Sequence, residues 1–143
     1  MTIARVMAAK ASTTIHTASP DMIVQDVVHI LAERRFGAVP VVEGGRVVGI
    51  ISERDVIYCA AREGGAALAR PVREVMTADP ITITPGATVL DTLALMTRKR
   101  VRHLPVVDQG ALAGFVSIGD LVKYRLDAVE AEAEAMRTYI QTG

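Results

Sequence analysis

The fold is decided by Phe36-Gly-Ala-Val-Pro-Val-Val-Glu-Gly-Gly-Arg-Val-Val-Gly-Ile-Ile-Ser-Glu-Arg-Asp55, because its pattern returns 65 residues later as Val101-Arg-His-Leu-Pro-Val-Val-Asp-Gln-Gly-Ala-Leu-Ala-Gly-Phe-Val-Ser-Ile-Gly-Asp120. The same spacing already relates Pro20 to Pro85 upstream of the two stretches. A fixed spacing over this length indicates an internal duplication. We therefore expect function to lie where the duplication makes two copies of one site.

Each copy predicts the element order β-α-β-β-α. Two β-branched runs joined by a glycine-containing turn are typical of a hairpin. These runs are Val39–Glu43 with Arg46–Ile51, and Leu104–Asp108 with Ala111–Ser117. An amphipathic helix precedes each hairpin, with its apolar face formed by Val24, Val27, Val28 and Leu31 in one copy and by Val89, Leu93 and Met96 in the other. A closing helix begins at Ser52 in one copy and at Ser117 in the other.

The fold class that follows is α+β, with two β-α-β-β-α repeats related by a pseudo-two-fold axis and packed into one domain. We place repeat 1 at residues 1–65, repeat 2 at 70–126 and a C-terminal helical extension at 127–143. Short helices, at Thr2–Met7 and Pro71–Met76, open the repeats, and short extended pieces follow at Thr13–His16 and Pro80–Thr84. Matching Ile15 to Ile83 predicts three extra residues in repeat 1, within His16–Pro20.

Composition narrows the class of protein. Sixteen basic and sixteen acidic residues give a net charge of zero, which disfavours the broad cationic surface used for nucleic acids or anionic membranes. The single Cys59 has no partner for a disulfide, and charges interrupt every long apolar stretch. No His and Cys spacing predicts a metal site. We expect a cytoplasmic protein without a membrane span, a bound metal or a nucleic-acid partner.

The repeated Ser-x-x-Asp, at Ser52 to Asp55 and at Ser117 to Asp120, has two interpretations. As structure, Ser is a favoured N-cap and Asp at the third helical position completes a capping box. As function, the carboxylate accepts hydrogen bonds from the two hydroxyls of a ribose, while the helix N–H groups face a phosphate. The two interpretations are compatible.

The doubled pattern of hydrophobic-Pro-Val-Val-acid, turn, Gly-hydrophobic-hydrophobic-Ser-x-x-Asp resembles a tandem CBS-domain pair, the Bateman module named after cystathionine β-synthase. The resemblance covers residues 1–125, and the ending Tyr139-Ile140-Gln141 is similar to stand-alone members that consist of one pair. It implies a regulatory sensor that binds AMP, ADP, ATP, NAD(H) or S-adenosylmethionine in two clefts, without catalysis. The adenine nucleotide would be a regulatory ligand, with no cofactor required.

The resemblance also implies a role for individual residues. Asp55 and Asp120, with Ser52 and Ser117, would bind ribose. The adenine pockets would be walled by Ile15, Ile83, Phe36, Gly37, Ala38 and Val101. The phosphates would meet Arg54, Gly119, Arg102 and His103, although the sequence does not assign Arg102 and His103 to one cleft.

The C-terminal segment carries an apolar stripe. Apolar residues at Leu126, Val129, Ala133, Met136 and Ile140 form a heptad-like stripe, which favours a homodimer through this helix.

A partner protein whose activity the ligand regulates through this module would be a separate chain of unknown identity. Two alternatives stay open: a dimeric scaffold with no physiological ligand, and a nucleotide-processing enzyme that uses His103 as its base.

Overall fold

The computed structural model describes residues 1–10 and 14–142 of the chain. Thr13, where the first predicted extended piece begins, and Gly143 lie outside the described residues. The helices and strands run in the order α1 (Ile3–Ala9), α2 (Val24–Arg34), β1 (Ala38–Glu43), β2 (Arg46–Ser52), α3 (Glu53–Glu63), a 3-10 helix (Gly64–Ala69), α4 (Val72–Val75), β3 (Thr77–Ala78), α5 (Val89–Lys99), β4 (His103–Asp108), β5 (Ala111–Ser117) and α6 (Ile118–Thr142).

Both predicted hairpins are confirmed. Strands β1 and β2 pair antiparallel with Pro40 opposite Ile50, and β4 and β5 repeat this register with Pro105 opposite Phe115. Each turn has two residues with positive φ, Gly44-Gly45 (59° and 80°) and Gln109-Gly110 (51° and 80°). Two consecutive positive φ values match the right-handed twist of the flanking strands, which is why glycine recurs there.

The sheets differ in their third strand. In repeat 1, β3 adds to the free edge of β2, giving the order β1-β2-β3, whereas repeat 2 has the two-stranded sheet β4-β5. Ahead of the first helix of each repeat lies a single parallel bridge, Ala18 to Val41 and Ile83 to Val106. Ile83 lies within the predicted piece Pro80–Thr84, whereas Ala18 lies two residues after the predicted piece Thr13–His16. The α+β class with two repeats is confirmed.

The bridges correct the predicted register at the front of the repeats. Ala18 N–H donates to the Pro40 carbonyl at 3.0 Å, and Ile83 N–H donates to the Pro105 carbonyl at 3.0 Å. Ala18, not Ile15, is therefore the counterpart of Ile83, and the prediction of three extra residues within His16–Pro20 is wrong. The sequence matched Ile15 to Ile83 by residue type alone. Residue type does not identify this position, because a buried bridge position accepts any small or β-branched apolar residue.

The opening helices are exchanged between the repeats. Ile3 and Val6 of α1 are buried in the core of repeat 2, with Ile83, Val89, Met96, Leu104, Val106, Val116 and Leu121. Val72 of α4 is buried in the core of repeat 1, with Ala18, Val24, Val27, Leu31, Val39, Val41 and Ile51. Each core is thus completed by a helix that precedes the other repeat in the sequence.

The last helix extends well past its own core. Leu121 is its buried residue, and the apolar side chains from Leu126 onward are exposed, reaching 74% for Tyr139. Helix α6 runs without a break to Thr142, so the predicted extension continues the closing helix of repeat 2. Within the described residues, no helix is long and apolar enough to cross a membrane.

Candidate functional site

A cleft of about 860 Å³ lies between the two repeats and includes the Asp120 carboxylate in its wall. Repeat 1 lines it with Ile15, His16 and Arg35, and with the run Phe36 to Val39; repeat 2 lines it with His103, Phe115, Ser117, Asp120, Lys123, Tyr124 and Asp127. Residues Val6 to Lys10 contribute a further wall. We name this cavity the Asp120 cleft. It brings together predicted residues from both halves of the chain.

The start of α6 fixes the carboxylate. Ser117 N–H donates to Asp120 Oδ2 at 2.9 Å, and Asp120 N–H donates to Ser117 Oγ at 3.1 Å. These reciprocal bonds form the predicted capping arrangement, because each satisfies an N–H that the helix leaves unpaired. Within the described residues, no hydrogen bond engages Asp120 Oδ1. The capping contact on Oδ2 therefore leaves the carboxylate able to accept further hydrogen bonds.

Lys10 is a cation that contacts the Asp120 carboxylate. Its Nζ lies 3.1 Å from Asp120 Oδ2 and donates to the Phe115 carbonyl at 2.9 Å. The Lys10 and Asp120 side chains are 34% and 28% exposed, so the pair is partly shielded from water. Sequence reasoning missed Lys10, since nothing local relates it to a residue 110 positions away.

The opposite wall of the cleft is apolar and comes from repeat 1. Ile15 and Phe36 are half-buried, and Ala38 is buried. The Phe36 and His16 rings have centroids 5.3 Å apart. A flat apolar wall beside a hydrogen-bonding group is a common arrangement for small-ligand sites. Four predicted adenine-pocket residues, Ile15, Phe36, Gly37 and Ala38, thus lie in one cavity with Ser117 and Asp120.

Gly37 lets the repeats approach each other at this wall. A side-chain Cβ at Gly37 would lie 3.1 Å from His103 Cε1 and 3.5 Å from Glu53 Oε1. His103 belongs to β4, so it is repeat 2 that reaches over the backbone of repeat 1 here. The structure therefore assigns His103 to the Asp120 cleft, an assignment that the sequence left open.

The His103 ring forms part of an aromatic wall. It stacks on Phe115, with centroids 5.6 Å apart and an interplanar angle of 11°. Burial lowers the pKa of His103 below its usual value, although the nearby Asp120 and Glu53 carboxylates oppose the shift. The ring is therefore uncharged at neutral pH, so a hydrogen bond from it to a phosphate would come from a neutral imidazole.

Two further cations of the cleft were also missed. Arg35 ends α2 in the left-handed conformation, with φ of 56°, and its side chain is exposed to the cleft. Lys123 lies one helical turn after Asp120 and pairs with Asp127 at 2.7 Å. Asp120, Lys123 and Asp127 are three and four residues apart on α6 and therefore lie on one face. Helical periodicity could have predicted Lys123 and Asp127 beside Asp120.

Asp55 has the same helix start but different surroundings. Its Oδ2 accepts hydrogen bonds from Ser52 N–H and Ser52 Oγ, each at 2.9 Å, and its N–H donates to Ser52 Oγ at 3.2 Å. Its Oδ1 accepts a hydrogen bond from Thr77 Oγ1 at 3.2 Å. Asp55 and Ser52 do not line the Asp120 cleft. They begin α3 at the pseudo-symmetric position, and we use the name Asp55 cleft for the second cleft that the resemblance implies there.

Two residues predicted as adenine-pocket walls lie elsewhere. Ile83 is 8% exposed and belongs to the core of repeat 2. Val101 is half-buried and packs against the same core. Neither residue lines the Asp120 cleft. Val101 is the counterpart of Phe36 at the duplication spacing, so it stays a prediction for the Asp55 cleft.

The remaining predicted phosphate residues are exposed at the helix starts. Arg54 and Gly119 occupy equivalent positions in α3 and α6, and Arg102 precedes β4. The Arg102 carbonyl accepts from Ile118 N–H at 2.8 Å, as the Gly37 carbonyl accepts from Glu53 N–H at 2.9 Å. The carbonyl groups at these two positions therefore accept equivalent hydrogen bonds in the two repeats, although the side chains differ.

No cluster of three or more His, Cys, Asp or Glu side chains is arranged for a metal ion within residues 1–10 and 14–142. Cys59 is a buried free thiol whose Sγ lies 3.5 Å from Glu63 Oε2.

The comparisons with known proteins agree with this architecture. The sequence profile of the CBS domain matches the chain twice, at residues 5–62 and 72–127. The CBS domain-containing protein YhcV of Bacillus subtilis (strain 168) is 34% identical over 110 residues, which are 77% of this chain and 78% of YhcV. A solved CBS-domain protein from Burkholderia ambifaria MC40-6 superposes with a TM-score of 0.83 at 38% identity, over 89% of this chain and 95% of that one.

A more distant structure, CBSX2 in complex with AMP, shares the fold. It superposes with a TM-score of 0.77 at 24% identity and covers 89% of this chain and 97% of that one. Two profile matches that together cover most of the chain, with the doubled helix starts at Asp55 and Asp120, settle the family: the chain belongs to the CBS-domain proteins and contains one tandem pair of CBS domains.

Proposed function

We propose that this CBS-domain pair is a regulatory module that binds an adenosyl ligand in the Asp120 cleft and signals occupancy to a partner protein through its conformation. The observation that carries the proposal is the joining, in one cavity, of a carboxylate on a helix start, an apolar wall and several cations. The AMP complex of CBSX2 adds support, since that protein shares the fold.

The proposed assignment of the ligand follows the chemistry of the walls. The ribose hydroxyls would donate to Asp120, and Ser117 would hold the carboxylate in place. Adenine would lie against Ile15, Phe36 and Ala38, with the small Gly37 allowing close approach. A hydrogen bond to a charged acceptor contributes about 1.5–3 kcal/mol, so a diol held by one carboxylate is a sufficient anchor without any catalytic step.

The Asp55 cleft is the proposed second site, with Ser52, Arg54, Val101 and Arg102 in the corresponding roles. Its carboxylate is already engaged by Thr77, whose hydroxyl can rotate away at little cost. Gly119 occupies the position of Arg54 in the other repeat and would offer backbone N–H only. We expect the Asp120 cleft to bind more tightly, because side chains from both repeats surround its carboxylate with apolar and cationic walls.

Turnover of the ligand is not part of the proposal. His103 is the candidate general base, and a base needs a partner that orients its ring. In the described part of the chain, no hydrogen bond reaches the His103 ring, which instead stacks on Phe115. Binding to this cleft is therefore proposed as the functional event.

The C-terminal helix supports a proposed homodimer. Its exposed stripe includes Leu126 (57%), Val129 (44%), Met136 (62%) and Ile140 (70%), and α3 exposes Ile57 (61%) on the equivalent helix of repeat 1. Apolar residues at heptad-like spacing are typical of helices that pair with another helix. The molar mass of the chain in solution, measured by light scattering, tests this: a monomer at high concentration would contradict it.

The experiment that tests the function is calorimetric titration of the purified chain with AMP, ATP, NADH and S-adenosylmethionine. Asp120→Asn keeps the shape of the side chain and removes its charge, so we expect the tighter binding event to weaken about tenfold or more. Asp55→Asn should leave that event unchanged. Asp108→Asn, at an exposed carboxylate at the end of β4, is the matched control.

Two results would contradict the proposal. Wild-type protein that binds none of the four compounds would remove the ligand and leave the dimeric scaffold as the better account. Binding that survives Asp120→Asn at full affinity would place the ligand outside the Asp120 cleft.

A further inference from the structure

One oxygen of the Asp120 carboxylate is engaged by Lys10. Lys10 Nζ contacts Asp120 Oδ2 at 3.1 Å and the Phe115 carbonyl at 2.9 Å. A ribose whose two hydroxyls donate to both oxygens of the Asp120 carboxylate reaches Oδ2, where the ammonium group of Lys10 lies, as well as Oδ1. Lys10 must therefore leave Asp120, or share it, when a ligand binds. The flexible four-carbon stem of lysine allows such a movement without a change in the backbone.

The charged side chains that line the cleft determine which partner the Lys10 ammonium group can take when it leaves Asp120. Lys10, Arg35 and Lys123 are the cations in the walls, and Asp120 and Asp127 are the carboxylates. Glu53 and Arg102, of opposite sign, lie near the His103 ring, so the excess is one positive charge. Lys123 is paired with Asp127 at 2.7 Å. No ion pair engages Arg35 within the part of the chain that the structure describes. His103 adds no charge at neutral pH, because burial lowers its pKa.

We propose that Lys10 exchanges Asp120 for a phosphate group of the ligand, and that this exchange makes the Asp120 cleft select phosphorylated adenosyl ligands over adenosine and S-adenosylmethionine. The inference rests on the proposed function of the cleft and adds to it the chemical class of the ligand. Arg35, at the same cavity and free of ion pairs in the described chain, supplies a second positive charge for the phosphates.

Electrostatics explains both why ligands without phosphate bind more weakly and why phosphorylated ligands bind more tightly. A ligand without phosphate displaces Lys10 from Asp120 and gives the ammonium group no new partner in a partly shielded cleft, which costs binding energy. S-adenosylmethionine adds a positive sulfonium to a cleft with an excess of positive charge. A phosphate replaces the carboxylate as the acceptor, so the charge-assisted bond is kept.

Among the described residues, no cation pairs with Asp55, so the Asp55 cleft lacks an equivalent of this exchange there. Its carboxylate is contacted by the neutral hydroxyl of Thr77, at 3.2 Å. Displacing a hydroxyl leaves no unpaired charge, so the identity of the ligand's other groups has less influence there. We therefore assign the selection to the Asp120 cleft, and the Asp55 cleft serves as its internal reference.

The test is a comparison of four ligands, adenosine, AMP, ATP and S-adenosylmethionine, by calorimetry with four proteins. The proteins are wild type, Lys10→Met, Lys10→Arg and Lys99→Met, the last of which removes an exposed lysine at the end of α5 outside the cleft. We expect Lys10→Met to weaken AMP and ATP about tenfold and to leave adenosine and S-adenosylmethionine unchanged or tighter. Lys10→Arg should keep the preference for phosphate, and Lys99→Met should match wild type.

The contrary outcomes are separable. If Lys10→Met changes all four affinities by the same factor, or changes none, Lys10 does not discriminate by phosphate and the inference fails while the proposed function stands. If wild type binds none of the four compounds, the proposed function fails and the inference falls with it. A thermal melt of each variant checks the fold, and Lys10→Gln, neutral and polar, repeats the comparison should Lys10→Met lower the melting temperature.

Discussion

The Asp55 and Asp120 clefts begin from the same short sequence and end with different chemistry. In both, serine caps a helix and aspartate completes the capping arrangement. The next neighbour differs: Thr77, a neutral donor, contacts Asp55, and Lys10, a cation, contacts Asp120. The repeats themselves therefore supply the carboxylates, and the segments that follow α1 and α4 supply what distinguishes them.

The spacing of these segments explains how the difference arises. The body of each repeat is duplicated at 65 residues, whereas Met7 and Met76, which both pack against a glycine of the central hairpins, are 69 residues apart. Counting from these methionines, Asp79 occupies the position of Lys10. The chain between Met7 and Ala18 is thus four residues longer than its counterpart between Met76 and Ile83. Change in a connecting segment alters a site without disturbing the duplicated core.

The largest expected difference between the repeats concerns stability. Leu121, the residue after Asp120, is fully buried in the core of repeat 2, and its counterpart Val56 is half-buried. Leu121→Ala should lower the free energy of unfolding by about 3 kcal/mol, because it leaves a cavity. Val56→Ala should cost about 1 kcal/mol. Urea denaturation of the two variants measures both values, and equal losses would show that the two cores are packed alike.

A smaller difference is expected where the methionines meet the hairpins. A Cβ at Gly49 would lie 2.9 Å from the backbone carbonyl of Thr77, so β3 would have to move. A Cβ at Gly114 overlaps the end of the Met7 side chain, which can turn aside. We expect Gly49→Ala to destabilise the protein by about 2 kcal/mol and Gly114→Ala by about 1 kcal/mol. Thermal denaturation decides this, and the reverse order would mean that Met7 is held more rigidly than β3.

The smallest expected difference is a dependence on pH that one repeat has and the other lacks. His103 has Ala38 as its counterpart, and burial lowers the pKa of His103 while Asp120 and Glu53 partly oppose, and Arg102 and Lys10 assist, the shift. Because the unfolded chain takes up the proton first as the pH falls, the stability that the neutral ring contributes is complete above pH 6.5 and is lost as the pH falls toward the lowered pKa.

Melting temperatures from about pH 8 to about pH 5 test this. Wild type should lose more stability over this range than His103→Gln, which keeps a polar side chain that does not titrate there. Parallel curves for the two proteins would show that the His103 ring titrates as it does in the unfolded chain.

Local features of the sequence predicted the hairpins, the helix starts and the doubled carboxylates, since each depends on residues a few positions apart. The turns at Gly44-Gly45 and Gln109-Gly110 required positive φ, and the structure has it. Long-range placement was less accessible. Lys10 and Thr77 reach their carboxylates through packing of α1 and β3, which no spacing encodes. Ile83 was matched to Ile15 by residue type, whereas the backbone pairing makes Ala18 its counterpart.

The exchange of the opening helices affects the order in which the molecule is completed during synthesis. The core of repeat 1 is complete once α4 has been synthesised, because Val72 follows directly after the residues that it packs against. Helix α1 precedes its own core partners, which run from Ile83 to Leu121, by more than one repeat. Closing the chain between them is a long loop closure with an entropic cost. The Asp120 cleft takes residues from Val6 to Asp127, so it can form only after both repeats have been synthesised.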